Sequence, residues 1–292
     1  MSRLNPLFFK LLLPKGKKYD IMTKYLYLNL TEGSDMSEEK LVNNEEENEV
    51  PGEGNVLAGF VLFKDANVDW LRFRKNLEED WDITFEDEIK DNAVVFKVDD
   101  MNVALSLLPS PVPNNEAVEA AKRNILWNAG AEETAKHQAH MIVAVLNKFD
   151  ALDQQELLAK VACSLLKLDN AIGIYKSPTV YDKEFYINFA KTIDDGEYPI
   201  PIYVYVGMYI DEGKVFAFTS GMSVFGKMEM EITGTEAEPN DVLSFMYSIC
   251  EYVIAEDVVL QDGETIGFTE EQKIPVHISK GVSVPGESIK LG

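Results

Sequence analysis

Residues 140–175 read HMIVAVLNKFDALDQQELLAKVACSLLKLDNAIGIY. His140 to Asn147 is an almost unbroken apolar run, with Met141, Ile142, Val143, Val145 and Leu146, and predicts a buried strand. Asp150 or Asp153 caps a helix reaching Leu168, and Ala171 to Tyr175 is the next strand. Strand, helix and strand in this order predict a βαβ unit, a parallel pair joined by a right-handed crossover.

Toward the N-terminus, Leu57 to Phe63 reads as a buried strand, and Asn67 caps a helix through Asp80. Thr84 to Ile89, Ala93 to Val98 and Val103 to Leu108 predict a three-stranded antiparallel meander. The joins Lys90-Asp91-Asn92 and Asp99-Asp100-Met101-Asn102 hold residues that tolerate a left-handed turn. Pro109, Pro111 and Pro113 enforce an extended exit, since each disfavours helix in the residue before it, and a helix follows from Glu116 to Trp127.

Toward the C-terminus, Asp182 to Ile193 predicts a helix with Phe185, Phe189 and Ile193 on one face. Ile200 to Ile210, Val215 to Ser220 and Met228 to Thr233 predict strands, and Pro239 opens a helix to Ala255 with Val242, Phe245, Met246, Ile249 and Val253 as its buried stripe. After Gly263 there are short strands and turns without a strong period. The sum is an α+β fold, a mixed and largely antiparallel sheet or sheets with packed helices, readable also as two related α+β halves. Residues 56–292 are expected to form one domain, with a division near 128–130 as the alternative.

Residues 1–55 have another character. Residues 1–31 carry Arg3 and five lysines against Asp20, a charge of +5, while residues 32–53 hold nine acidic side chains against Lys40. The Asn, Glu, Pro and Gly content of 43–54 is that of a linker, so 1–55 is expected to be disordered or a non-native extension. Thr31 to Met36 is compatible with a purine-rich ribosome-binding site before an ATG, which makes Met36 a candidate start.

The whole chain of 292 residues has 50 acidic and 27 basic side chains, a net charge of −23 that repels phosphate backbones and anionic lipid. Nucleic acid and membrane are therefore disfavoured as partners; the acidity is read first as a means of keeping the protein soluble, and alternatively as steering association with a basic protein partner. Cys163 and Cys250 sit in apolar helical stretches as small hydrophobes, and no apolar run reaches the roughly 18 residues of a membrane span. Leu7 to Leu13 lacks the length and cleavage site of a signal peptide, so a cytoplasmic protein is expected.

Phosphate-binding glycine loops and the GxSxG elbow are absent. His137-Gln138-Ala139-His140 brings together two of the three histidines, and with Glu132 or Glu133 it suggests a divalent-metal site or a general base. A structural role is preferred, with the imidazoles hydrogen-bonded at an element end, because no third fixed ligand is in view. Trp127 is a candidate pocket wall or anchor, though an aromatic residue there more often belongs to the core. No catalytic residue, metal ligand or cofactor is assigned.

Several segments resemble an uncharacterised bacterial family, the domain of unknown function 4261. They are MNVALSLLPSPVP at 101–113, Leu126-Trp127 with HQAHMIV at 137–143, AIGIY at 171–175 and DGETIG at 262–267. The resemblance covers about residues 57 to 280 and implies a bacterial cytosolic protein without an assigned mechanism. Phe245 to Ile266 is similar to suppressor-of-fused-like domains, some of which look like immunity proteins that neutralise toxins. The function expected is a non-enzymatic acidic protein-binding module of immunity or antagonist type. The alternatives are a metal-dependent or general-acid enzyme centred on His137 and His140, and a homo-oligomeric scaffold.

Overall fold

The computed structural model describes residues 56–146, 150–267 and 273–292. The expectations for residues 1–55, including a start at Met36, lie outside the described residues. The fold is α+β, with seven helices and two six-stranded sheets among the described residues.

The first sheet holds β1 (Leu57–Phe63), β2 (Ala93–Val98), β3 (Met101–Leu108), β4 (Ala139–Leu146), β5 (Ala171–Lys176) and β6 (Thr179–Asp182), in the order β2-β3-β4-β1-β5-β6. Every neighbouring pair is antiparallel. The βαβ reading is thereby corrected. β4 and β5 do run the same way, joined by the helix Ala151–Leu166, but β1 lies between them, antiparallel to both. A crossover over two strand positions leaves a slot, and β1 fills it with an apolar sequence suited to burial on both faces; Val61, Leu62 and Phe63 are fully buried.

The helices are α1 (Trp70–Trp81), α2 (Glu116–Ala121), α3 (Gly130–Thr134), α4 (Ala151–Leu166), α5 (Lys183–Ala190), α6 (Ile200–Tyr203) and α7 (Pro239–Ala255). Asp69, not Asn67, caps α1 through the amide of Arg72. The Asn67 amide instead donates to Asp65 in the preceding turn. Asp150 caps α4 and Asp182 caps α5 in the same manner.

Four segments differ from the sequence reading. Residues 84–89 form no strand; Phe85 stacks on Phe96 with centroids 4.1 Å apart while Glu86, Asp87 and Glu88 face solvent, so the alternating pattern belongs to a covering loop. The helix expected to reach Trp127 ends at Ala121, because the Asn124 side chain accepts from the Leu126 amide and donates to the Val180 carbonyl. Ile200–Tyr203 is a helical turn started by its prolines, and the strand begins at Tyr205. The helix read to Ile193 stops at Ala190 in a 3-10 turn over Lys191–Asp195.

The second sheet holds β7 (Tyr205–Asp211), β8 (Lys214–Ser220), β9 (Met230–Thr235), β10 (Thr265–Ile266), β11 (Ile274–Lys280) and β12 (Glu287–Leu291), ordered β10-β11-β12-β9-β8-β7. Only β9 and β12 pair in parallel. α7 covers one face, with Val242, Met246, Ile249 and Val253 buried. A continuous apolar core runs from Phe63 and α4 of the first layer through Tyr186 and Ile202 to Ala217, Met230 and Ile249 of the second.

Candidate functional site

The proline-rich exit 109–113 has few backbone donors, since three of its residues lack an N–H. The two histidines meet two of the polar groups that remain, the Val112 amide and the Ser110 carbonyl. His137 sits just after α3, and its Nε2 accepts from the Val112 amide at 2.9 Å while its Nδ1 bonds the Thr134 carbonyl at 2.5 Å. His140, on β4, donates from Nδ1 to the Ser110 carbonyl at 2.8 Å, and its ring meets Phe60 edge-on. Both rings are buried.

Burial pushes the His137 pKa down against the pull of the Thr134 carbonyl. Burial likewise lowers His140 to about 4, opposed by the Ser110 carbonyl and reinforced by His137. Both imidazoles are therefore neutral clasps on the loop at pH 7. Glu133, one of the carboxylates considered as a metal ligand, pairs instead with Lys136 at 2.6 Å. Among the described residues, no group of three or more His, Cys, Asp and Glu side chains is placed to hold a metal ion.

Trp127 is half-buried against two glycines. A Cβ on Gly130 would stand 3.0 Å from its ring, and one on Gly173 would stand 3.6 Å away. The ring thus packs α3 against β5, on the apolar cluster that also holds Val112 and Phe60.

A larger concave feature lies elsewhere, where three element ends converge. The C-terminal end of α1, the β2–β3 turn and the first turns of α4 enclose an open groove of about 710 Å³, lined by Trp81, Asp82, Asp99, Asp100, Asp153 and Glu156 together with Lys97 and Lys160. Each acidic residue has a local reason to be there. Asp82 ends α1 with φ 54° and Asp99 turns the hairpin with φ 49°, both left-handed conformations that Asp tolerates. Asp153 lies in the first turn of α4, where the helix dipole favours a negative charge.

The lysines are already engaged. Lys97 pairs with Asp100 at 3.4 Å and Lys160 with Glu156 at 2.5 Å. Trp81 anchors the wall through a 3.1 Å bond from its indole N–H to the Ser164 hydroxyl. The groove therefore presents net negative charge around an aromatic wall. In the sequence Asp99-Asp100 reads as part of a hairpin turn and Asp153 as a helix cap, and their convergence is not legible because the three stretches are far apart in the chain. Clustering of acids at element ends was the available signal.

Neither the curated proteins nor the solved structures contain a match to the chain. Among the segments that carried the family resemblance, Asp262 to Gly267 lies in β10 and the turn before it, downstream of α7. Residues 218–292, from the end of β8 to the C-terminal strand, match the model of the family described as a domain of unknown function (DUF4261).

Proposed function

We propose that the chain is a non-enzymatic acidic binding protein of antagonist or immunity type that acts in the cytoplasm, its groove receiving a basic segment of a partner protein. The observation that carries this reading is the 710 Å³ groove in which five acidic side chains meet two lysines, both paired within it. A concave wall of one sign focuses the field and speeds capture of an oppositely charged partner, and the net charge of −23 adds to that field. Two buried free thiols, Cys163 and Cys250, suit a reducing compartment. No helix among the described residues is long and apolar enough to cross a membrane.

The test is titration of an Arg- and Lys-rich peptide against the wild-type protein and against D82N/D99N/D100N, with E184Q/E251Q as a control that removes charge outside the groove. Binding is expected at about 0.05 M ionic strength and release by about 0.5 M, where the Debye length falls to a few Å. The groove variant should lose most of the affinity and the control little of it. Equal loss in both variants would reduce the effect to net charge and overturn the assignment of the groove.

A further inference from the structure

The His137 ring holds the proline-rich loop by a bond that only its neutral form can make. Nδ1 lies 2.5 Å from the Thr134 carbonyl, which is an acceptor alone, so Nδ1 carries the proton. Nε2 lies 2.9 Å from the Val112 nitrogen, whose amide is a donor alone, so Nε2 must be bare. A proton added to Nε2 sets two N–H groups against each other and leaves the buried amide without an acceptor. His140 differs, since its bond to the Ser110 carbonyl is donated from Nδ1 and survives protonation.

The loop is held closed at a cost. Ser110 Oγ on the loop and Thr134 Oγ1 at the end of α3 are both buried without a hydrogen-bond partner, a state in which buried hydroxyls are rarely left. Opening to water satisfies both. Val112 is the loop's apolar anchor, sharing a cluster with Leu62, Ala120, Ala121 and Ile172, beside Trp127. Withdrawing Val112 uncovers that cluster, which has no residue in common with the lining of the acidic groove.

No carboxylate holds the ring in its charged form. The loop 109–113 and β1 contain no ionisable side chain. Glu132 and Glu133 on α3 act on Lys136, while on α2 Glu116 accepts from the Tyr175 hydroxyl and Glu119 pairs with Lys122. His140 on β4 is an ionisable neighbour, and two charged rings repel. Burial lowers the His137 pKa from its ordinary 6.5, opposed by the Thr134 carbonyl.

We infer that protonation of His137 releases the 109–113 loop, so that the clasp is an acid-sensitive latch over the apolar cluster between α2 and β5. The closed form binds the proton more weakly than the open form, in which the ring titrates near its ordinary value. Closure is therefore complete above 6.5 and is lost as pH falls below it.

The experiment follows amide hydrogen exchange of the full chain by NMR between about pH 7 and pH 5, each rate corrected for its intrinsic pH dependence. Protection of the Val112 amide should fall about tenfold over that range, while Val143, on β4 between β1 and β3, keeps its protection. His137→Gln places an amide oxygen where Nε2 stood, so protection of Val112 in that variant should not depend on pH. Flat protection of Val112 in the wild type would overturn the inference. An equal fall at Val143 would do the same, since it would mean unfolding of the whole molecule. A pH dependence retained in His137→Gln would move the latch to another group and also sink it. The wild-type comparison of Val112 with Val143 stands even if the variant fails to fold.

Discussion

Glu229, half-buried just before β9, and Glu231, buried on β9, show what carboxylates do in the family-matched segment. Glu229 accepts from the Thr219 hydroxyl at 2.7 Å and the Gly221 amide at 2.9 Å, holding the turn that leads from β8 toward β9. Glu231 accepts from the Val282 and Ser283 amides, the Ser288 hydroxyl and the Lys290 ammonium at 2.7 Å, so one side chain ties the 281–286 loop to β9 and β12. Burial acts to raise its pKa, but the bonds from Lys290, Ser288, Ser283 and Val282 outweigh it and bring the group down to about 2. The native state therefore binds this proton more weakly than the unfolded chain. The resulting stability is complete above the ordinary value of 4.5 and is lost as pH falls toward 2. Glu231→Gln is expected to cost about 3 kcal/mol in urea unfolding at pH 7, with the gap to wild type narrowing below pH 4. A gap independent of pH would assign the loss to packing. None of these partners was legible in the sequence, since Glu231 lies some fifty positions from Ser283 and reads there as one more acid in an acidic chain.

At the scale of elements, legibility followed how much of the pattern was local. α7 runs from Pro239 to Ala255 as its apolar stripe and proline start predict, and β8 covers Lys214–Ser220 against a reading of Val215 to Ser220. β6 was missed because Thr179–Asp182 is four residues long and owes its state to pairing with β5. That pairing is tight. A Cβ on Gly173 would stand 2.5 Å from the Tyr181 carbonyl oxygen, a clash with main chain that no side-chain rotation relieves. Gly173→Ala is thus expected to lower stability by about 2 kcal/mol or more and to shift amide signals along β5 and β6, measured by thermal unfolding and NMR. An unchanged melting temperature would mean that the two strands can separate at no cost. The Thr84 to Ile89 segment errs the other way: its alternation is real, but Phe85 finds its partners in Phe96 and the Arg74 guanidinium, so no strand partner is needed.

For the whole molecule, the apolar core passes without interruption between the two sheets, joining Tyr186 and Ile202 to Met230 and Ile249. Two layers that share one core should unfold together. Trp70, Trp81 and Trp127 all belong to the first sheet and its helices, whereas far-UV circular dichroism reports both layers. The urea midpoints from tryptophan fluorescence and circular dichroism are expected to coincide, and separated midpoints would show two independently stable units. By itself the sequence determined the α+β class, the places of the long amphipathic helices, the neutral packing of both cysteines and the strong negative charge. These follow from periodicity, capping and composition, which act over a few residues or over the whole chain at once. Only the tertiary structure decided that β1 lies between β4 and β5, that the histidines clasp the proline-rich loop, and that acids from three element ends share one groove. Those outcomes depend on strand order and on contacts between segments distant in the chain, where burial and hydrogen-bond satisfaction, rather than local pattern, select the arrangement.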